Sequence, residues 1–324
     1  MTCEGSRVKM HVDERARHIS KCLELAILLE ASANKPGNVN RTNGFERTRY
    51  EHFLASAVAM TSSFELAGRR GIAVSQREIN VGAVGVGRII KDSVVNANAW
   101  QRGGNTSLGT VILLSPIAVA AGMASTEEGS FDIPLVREKV KAVVESTTPE
   151  DAVNLYEAIR IAKPGGLGTS SQLDVNDPNS TDRILKERIS LCQIFKIASE
   201  YDSISSEWVN NYHITFDTAY PSLVQQLKKS DKLDVAIVHT FLKVLAENPD
   251  TLIARKTCTE KARGISSEAE EILKLGGLET VKGRESLSKF DLSLRSSSNL
   301  LNPGTTADII AAGLALCVLA GYRP

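Results

Sequence analysis

The sequence carries no excess of charge of either sign. Lysine and arginine together number 38, and so do aspartate and glutamate. A chain without net positive charge has no long-range attraction to nucleic acid or to an anionic membrane surface, so we expect neither as a partner. Any site for an anion must therefore be built from a few local side chains.

Cysteine and histidine are scarce and scattered. The five cysteines lie far apart in sequence and form no Cys-x-x-Cys pair (Cys3, Cys22, Cys192, Cys258 and Cys317). This number and spacing argue against a disulfide framework and a metal knuckle, and the five histidines lack zinc-site spacing. We expect reduced thiols in a cytoplasmic protein.

Long apolar runs are missing as well. Residues 1–14 are polar and contain no apolar signal segment, which argues against secretion. The longest apolar stretch, residues 108–124, is interrupted by Ser115, Pro116 and Gly122 and is shorter than the roughly 20 residues that a membrane-spanning helix needs. This stretch predicts a buried helix.

Alternating patterns typical of β-strands are almost absent, whereas apolar residues recur at three- and four-residue spacing through most of the chain. The sequence therefore predicts an all-α fold, a single globular bundle of about ten helices. We expect one domain over residues 1–324, with residues 1–12 as a loose tail and the polar breaks gathered at one end.

Three polar segments each lead into an apolar helical pattern, at residues 34–41, 103–109 and 302–308. Small polar residues before a helix can present hydroxyls, amides and free backbone N–H groups to an anionic ligand. A single segment of this kind is weak support for a site. Three of similar design favour a shared function.

Asp308 is the main acidic candidate. Pro303 and Gly304 predict a turn, Thr305 or Thr306 can cap the helix that follows, and Asp308 then falls in its first turn. A carboxylate there can cap the helix, worth roughly 0.5–2 kcal/mol, or it can hold a metal ion or a polar ligand.

Three other features leave both interpretations open. Glu30 lies at the end of an apolar stripe, where a carboxylate is costly unless it is paired, bound to a cation or in contact with solvent. His213 and Asp217 share one helical face as an ordinary or a catalytic pair. The glycine-rich segment 165–170 can serve as a linker or can present N–H groups to phosphate.

The three polar segments together resemble the ATP:dephospho-CoA triphosphoribosyl transferase family. Residues 29–44 are similar to its Glu…Lys-Pro-Gly…Arg…Asn-Gly motif, residues 103–109 to its Asn-Thr segment, and residues 303–308 to its terminal Pro-Gly-Gly-Ser-Ala-Asp type of loop. The resemblance implies an all-helical enzyme that displaces adenine from ATP. It joins the triphosphoribosyl group to a ribose hydroxyl of 3′-dephospho-CoA, making a prosthetic-group precursor for acyl carrier proteins of lyases.

The resemblance also implies roles for individual residues. Glu30 and Asp308, with Asp217, would act as catalytic groups, and Glu30 and Asp308 would hold Mg²⁺ on the triphosphate. Arg255 and Lys256 either pair with phosphates of the acceptor or form a solvated helix face. The expected nucleotide-binding and phosphate-binding residues are Lys35, Gly37, Asn38, Arg41, Asn105, Thr106, Gly165, Gly166, Gly168, Gly304, Thr305 and Thr306.

Two positions depart from the family pattern. Ser107 and Leu108 stand where the family commonly has His-Lys, and Asn40 stands where it commonly has aspartate. A relative that transfers or cleaves a phosphoribosyl group on another nucleotide-type acceptor is therefore a second hypothesis, and a non-catalytic nucleotide-binding helical protein is a third. The expected partners are small nucleotides, and a homo-oligomer is left open.

Overall fold

The computed structural model describes residues 10–168, 172–229, 232–295 and 299–324. These residues form fifteen α-helices, two short 3₁₀ helices (Val81–Ala83 and Gly277–Glu279) and a π-helix (Ile214–Ala219). The α-helices are α1 Val12–Ser32, α2 Tyr50–Ser75, α3 Val86–Trp100, α4 Leu108–Ala124, α5 Ile133–Glu145, α6 Pro149–Ala162, α7 Asn179–Lys186, α8 Leu191–Ala198, α9 Ser203–Val209, α10 Tyr220–Lys229, α11 Leu233–Glu247, α12 Thr251–Lys256, α13 Thr259–Lys274, α14 Val281–Arg295 and α15 Gly304–Leu319.

The all-α prediction is confirmed, since the described part of the chain contains no strand. The expected number of about ten helices is too low. One reason lies in residues 207–227. Their apolar spacing alone predicts one helix, but Asn211 and Tyr212 adopt positive φ angles of 53° and 56° and divide it. The buried carboxylate of Glu207 accepts the N–H groups of Ile214 and Thr215, both at 2.8 Å, and begins a separate helix after this turn.

Helices α4 and α15 are buried on almost all sides and form the centre of the core. The buried apolar side chains of the described residues make one cluster around them. Close packing of α2 on α4 depends on Gly71, because a Cβ at this position would lie 2.0 Å from the carbonyl oxygen of Val119. The prediction of one domain over the whole chain stays a prediction, and most of the expected tail, 1–12, lies outside the described residues.

Pro116 in the middle of α4 has a structural consequence. Proline lacks an N–H group, so the carbonyl of Ile112 one turn earlier has no partner within the helix. The indole N–H of Trp208 on α9 donates to that carbonyl at 3.2 Å. The neighbouring carbonyl of Leu113 accepts the hydroxyl of Tyr212 at 3.2 Å. These contacts fix α9 and the following turn against the central helix.

Helix α15 begins at Gly304, earlier than predicted, and Pro303 precedes it without a side-chain cap. Thr305 and Thr306 therefore lie inside the helix, and Asp308 lies beyond its first turn. The expected capping by Thr305 or Thr306 is wrong, and Asp308 is too far along the helix to cap it. Among the described residues, no helix combines the length and the apolarity required to cross a bilayer.

Candidate active site

The three polar segments identified in the sequence meet at one cavity of about 440 Å³. Its acidic side is formed by the end of α1 and the starts of α4 and α15. Its basic side comes from α12 and the end of α6, and an apolar wall is contributed by α6, α8, α9 and residues 172–175. The cavity therefore presents three chemically different surfaces to a ligand.

Asp308 lies on the acidic side, pressed against the start of α4. The hydroxyl of Thr110 donates to Asp308 Oδ1. A Cβ built on Gly109 would lie only 2.0 Å from Asp308 Oδ2, so the carboxylate occupies the space that a side chain at position 109 would need. The close approach of α4 and α15 thus depends on glycine in the Asn-Thr segment.

Glu30 lies beside Asp308 and is paired with a lysine. Lys35 Nζ is 3.0 Å from Glu30 Oε1, and it also donates to the carbonyl oxygens of Glu30 and, at 3.3 Å, of Ala33. The Lys35 side chain is fully buried. Lys35 therefore compensates the charge of Glu30 and does not face the cavity.

Burial and mutual repulsion change the protonation of the two carboxyls. Burial raises the pKa of Glu30, while Lys35 opposes this change. Burial raises the pKa of Asp308 to about 8, with further increases from the charges of Glu30 and Asp250, against the hydrogen bond from Thr110. With its pKa raised to about 8, Asp308 keeps a proton at neutral pH, whereas Lys35 favours the ionised form of Glu30 against the effect of burial.

A chain of hydroxyls adjoins these carboxyls at the start of α4. Thr106 Oγ1 is 2.7 Å from Ser56 Oγ and 3.0 Å from Ser107 Oγ. Asn105 Oδ1 accepts the N–H of Leu108 at 3.1 Å and so satisfies one donor of the helix start. The side chains that depart from the family pattern here, Ser107 and Leu108, both line the cavity.

The basic side of the cavity is formed by Lys163, Arg255 and Lys256. Arg255 Nη1 pairs with Asp202 Oδ1 at 2.5 Å, and its Nε donates to the carbonyl of Gly166 at 3.1 Å. Lys256 Nζ donates to the carbonyl of Asn299 at 2.9 Å, and burial lowers its pKa. Arg255 and Lys256 are held by neutral carbonyls and one carboxylate, which a more highly charged anion can replace.

The apolar wall is large for a site with so many polar groups. It is formed by aliphatic and aromatic side chains, among them Leu155, Tyr156, Ile159, Ile194, Phe195 and Ile204. Tyr156 is fixed by its hydroxyl, which donates to the carbonyl of Leu173. Tyr201 and Leu167 lie at the edge of the wall and remain partly exposed, 49% and 39%. The cavity can therefore hold a ligand that has both a polyanionic and an apolar part.

Nine of the residues predicted from the sequence line this cavity. They are Glu30, Asn38, Asn105, Thr106, Gly165, Gly168, Gly304, Thr305 and Asp308. The sequence did not single out Thr110 or Lys163, and it left Arg255 and Lys256 open. The Thr-Pro-Glu-Asp start of α6 and the Lys-Pro after it locate this helix, but they do not indicate that its last residues face a ligand.

The structure places the other predicted residues elsewhere. The N–H of Gly37 donates to Asp291 Oδ1 at 2.7 Å, and Arg41 is exposed beside the buried Asn40. Asp217 is 56% exposed and forms a two-pronged pair with Arg137, at 2.6 and 2.7 Å, which lowers its pKa. Thr306 faces Asp250, and Gly166 packs under Lys256. Neither these residues nor Lys35 lines the cavity.

Asn40 has a structural role in its own loop. Its Oδ1 accepts the N–H groups of Thr42 and Asn43 at 3.0 and 2.9 Å and the hydroxyl of Thr42 at 2.9 Å. An aspartate can accept the same bonds, so this departure from the family pattern preserves the local turn.

The chain matches a known protein family over nearly its whole length. A sequence model of the ATP:dephospho-CoA triphosphoribosyl transferase family matches residues 16–323. The chain belongs to this family. The resemblance inferred from the three motifs is thereby confirmed, together with the class of enzyme, a transferase that uses ATP.

Two known proteins match most of this transferase. A protein of Malonomonas rubra, named a probable 2-(5''-triphosphoribosyl)-3'-dephosphocoenzyme-A synthase, is 22% identical over 323 residues, covering 97% of this chain and 92% of that protein. A crystal structure from Archaeoglobus fulgidus, described as a triphosphoribosyl-dephospho-CoA synthase, aligns with a TM-score of 0.60 and 22% identity. It covers 83% of this chain and 100% of that chain, and it supports the fold.

The transferase site contains few metal ligands of its own. Among the described residues, no three His, Cys, Asp or Glu side chains are grouped so that they could hold a metal ion. Two carboxyls face the cavity at its acidic side, and one of them, Glu30, is paired with Lys35. This donor set fits a divalent cation that is bound mainly by a substrate and only in part by the protein.

Proposed function

We propose that this cavity binds ATP and transfers its triphosphoribosyl group to a ribose hydroxyl of 3′-dephospho-CoA, releasing adenine. The observation that carries the proposal is that the interacting carboxyls Glu30 and Asp308 line one cavity together with the cations Lys163, Arg255 and Lys256. Family membership supports the reaction, and the geometry supports the assignment of residues to it.

The triphosphate is assigned to the basic side. Arginine and lysine both bind phosphate oxygens, arginine by a two-pronged contact. On binding, Arg255 would exchange its contact with Asp202, and Lys256 its contact with the carbonyl of Asn299, for phosphate oxygens. This assignment replaces Lys35 and Arg41, the phosphate ligands expected from the sequence.

The reacting sugar is assigned to the acidic side, between the triphosphate and the hydroxyls at the start of α4. The acceptor hydroxyl oxygen forms a bond to the anomeric carbon of the ATP ribose while the bond from that carbon to adenine breaks. Asp308 gives its proton to the departing adenine, and Glu30 takes the proton of the acceptor hydroxyl. The charge of Glu30 also stabilises the positive charge that develops on the sugar ring.

The apolar wall is assigned to the uncharged parts of the substrates. An adenine ring can stack on an aromatic side chain such as Phe195, and the pantetheine arm of the acceptor presents methyl and methylene groups to aliphatic residues. Burying these groups would contribute about 25 cal/mol for each Å² removed from water.

Magnesium enters the proposal as the ion that accompanies ATP. Mg²⁺ is commonly held by one or two carboxylates together with substrate phosphates and water. Glu30 and Asp308 are the carboxyl groups that would supply such ligands here, Asp308 only after it has given up its proton. When bound, the ion would neutralise phosphate charge. No step assigned above to the protein's side chains depends on it.

The test is adenine release from ATP in the presence of Mg²⁺ and dephospho-CoA, with the transferred product identified by mass. Asp308→Asn keeps the size of the side chain and the acceptor for Thr110 but removes the proton donor. We expect it to lower the rate of adenine release about 10²- to 10⁴-fold. Wild-type protein that binds ATP but releases no adenine with any acceptor would contradict the proposed reaction.

The acceptor requires a direct comparison. Ser107 and Leu108 replace an ionisable pair at positions that line the cavity, which keeps a different nucleotide-type acceptor as the second candidate. Dephospho-CoA, CoA, ADP and AMP should be compared at equal concentration. A higher kcat/KM for one of the others would favour the second candidate over the first.

A further inference from the structure

Asp250 lies outside the cavity, immediately before α12, and is 2% exposed. Its Oδ1 accepts the N–H groups of Leu252 and Ile253 at 2.9 and 3.1 Å, which caps α12. Its Oδ2 accepts the N–H and the hydroxyl of Thr306, both at 2.8 Å, which caps α15. One buried carboxylate thus satisfies the first turns of two different helices.

These two helices carry different functional groups of the site. Helix α12 carries the cations Arg255 and Lys256, and α15 carries Asp308. Both helices lack another side-chain cap at these positions: α12 has Asp250 as its only cap, and Pro303 before α15 has no side-chain oxygen to offer. Four hydrogen bonds to a single side chain therefore connect the helix of the triphosphate ligands to the helix of the proton donor. The other hydrogen bond between these helices in the described part of the chain is longer, from Thr251 Oγ1 to Thr305 Oγ1 at 3.4 Å.

We propose that Asp250 is a positioning residue that fixes the phosphate-binding helix α12 relative to the acid on α15 and keeps Asp308 in a negative field. The assignment of these two roles rests on the proposed function. The inference about Asp250 goes beyond that function, because it concerns a residue that touches neither substrate.

The electrostatic part of this role follows from the surroundings of Asp308. Three groups act on its carboxyl: Glu30 of α1, itself beside Lys35, then Asp250, and Thr110 of α4 as a hydrogen-bond donor. Burial raises the pKa of Asp250 itself, but both of its oxygens accept hydrogen bonds, which favour the ionised form. Replacing this carboxylate leaves the charge of Glu30 as the remaining source of repulsion. The pKa of Asp308 should then fall, so that activity requiring its proton is lost at a lower pH.

Asp250→Asn should keep the hydrogen bonds to α12 and disrupt those to α15, with little change in side-chain volume. The asparagine carbonyl can still accept from Leu252 and Ile253, but its NH₂ group then faces the N–H of Thr306, and two donors cannot pair. We expect the Kd for ATP, measured by calorimetry, to rise about tenfold, and the alkaline limb of the rate profile to move to lower pH.

The chain offers a matched control in Asp151. This carboxylate is also buried, 3% exposed, and it bridges two helix starts, accepting from Gly87 of α3 at 2.8 Å and from Thr148 before α6 at 2.9 Å. It does not line the cavity. Asp151→Asn should cost similar thermal stability but should leave ATP affinity and the pH profile unchanged.

The outcomes separate the two proposals. ATP affinity that falls in Asp250→Asn alone supports the positioning role even if no adenine is released, in which case only the proposed reaction fails. Equal effects of Asp250→Asn and Asp151→Asn on ATP affinity and on the alkaline limb would overturn the positioning role. If Asp250→Asn does not fold, Thr306→Val decides, because it removes one bond to α15 and leaves both bonds to α12 intact; it should weaken ATP binding, and unchanged binding would contradict the inference.

Discussion

Asp308 Oδ2 occupies the space beside the α-carbon of Gly109, where a Cβ would lie 2.0 Å away. The apolar start of one central helix and the acid of the other are therefore in direct contact. This contact, together with the hydrogen bond from Thr110, determines where the carboxyl points. It also explains why a glycine follows the Asn-Thr segment in the sequence.

The first prediction concerns Gly109→Ala. The added methyl group cannot coexist with the Asp308 carboxylate in its present position, so the carboxylate must move or α4 and α15 must separate. We expect adenine release to fall about 10²-fold, since misplacement by about 1 Å is enough for such a loss. The overpacking should lower the free energy of unfolding by about 1–3 kcal/mol.

Gly264→Ala is the control for that substitution. Gly264 lies within α13, and nothing is found within 4 Å of the Cβ position. Alanine should stabilise this helix by about 0.5–1 kcal/mol and leave adenine release unchanged. Normal activity of Gly109→Ala would show that the contact with Asp308 is not needed.

The second prediction follows from the pKa of Asp308, which is raised to about 8. The native state keeps a proton on this carboxyl that the unfolded chain releases near pH 4. Stability from this group is therefore full at low pH and falls as the pH rises toward 8, by up to about 1.4 kcal/mol per pH unit. Asp308→Asn removes the dependence, so its Tm relative to the wild type should increase from pH 5 to pH 8.

For Asp217→Asn we expect the opposite effect of acid on stability. Arg137 lowers the pKa of Asp217, so the ionised carboxylate contributes to stability above its ordinary pKa and loses this contribution only in acid. Its Tm relative to the wild type should be slightly lower at neutral pH and should recover at pH 3. A Tm difference for Asp308→Asn that does not vary with pH would contradict the assignment of a buried, protonated acid.

Sequence patterns predicted the helical fold, the meeting of the three polar segments and the two cavity carboxyls, because each depends on local signals. Periodicity identifies the buried face of a helix, and Glu30 stands at the end of such a face. Such local signals do not determine the direction of side chains in loops. Lys35 follows α1 closely, and only the packing around Glu30 turns it into the core.

The contact of Asp250 with two helices could not be predicted from the sequence either. Asn-Pro-Asp-Thr is a good start signal for α12, and the local pattern is complete with Asp250 as an ordinary cap. Its second oxygen accepts hydrogen bonds from Thr306, which lies 56 positions later in the chain. Local spacing carries no information about that contact. For the same reason Lys163 was missed, and Arg255 and Lys256 were left open between binding phosphates of the acceptor and forming a solvated helix face.

The third prediction concerns Asp202→Asn. Asp202 Oδ1 holds Arg255, while Oδ2 accepts the N–H and hydroxyl of Ser205 and caps α9. Asparagine caps a helix about as well as aspartate, so stability should change little. Arg255 would be released for phosphate, and the KM for ATP should fall a few-fold.

Removing any negative charge from the cavity would also lower the KM for the ATP anion. The control for this effect of net charge is Asp174→Asn. Asp174 lines the same cavity, and its Oδ1 accepts the N–H of Asn176 at 2.7 Å, a turn bond that asparagine can retain. A KM that falls equally in both variants would assign the effect to net charge. A KM that falls in Asp202→Asn alone would assign it to Arg255.

The fourth prediction tests whether Lys35 compensates Glu30 or binds phosphate. Lys35→Met leaves the buried carboxylate of Glu30 without its partner, and breaking a buried pair in this way costs about 3–5 kcal/mol. Adding Glu30→Gln removes the charge as well, so the double variant should recover most of the lost stability while adenine release stays low. If Lys35 were instead a phosphate ligand that turns toward the cavity, Lys35→Met would weaken ATP binding with little loss of stability. Glu30→Gln would then rescue neither property, so denaturant unfolding of the four proteins in the cycle, with their ATP affinities, separates the two roles.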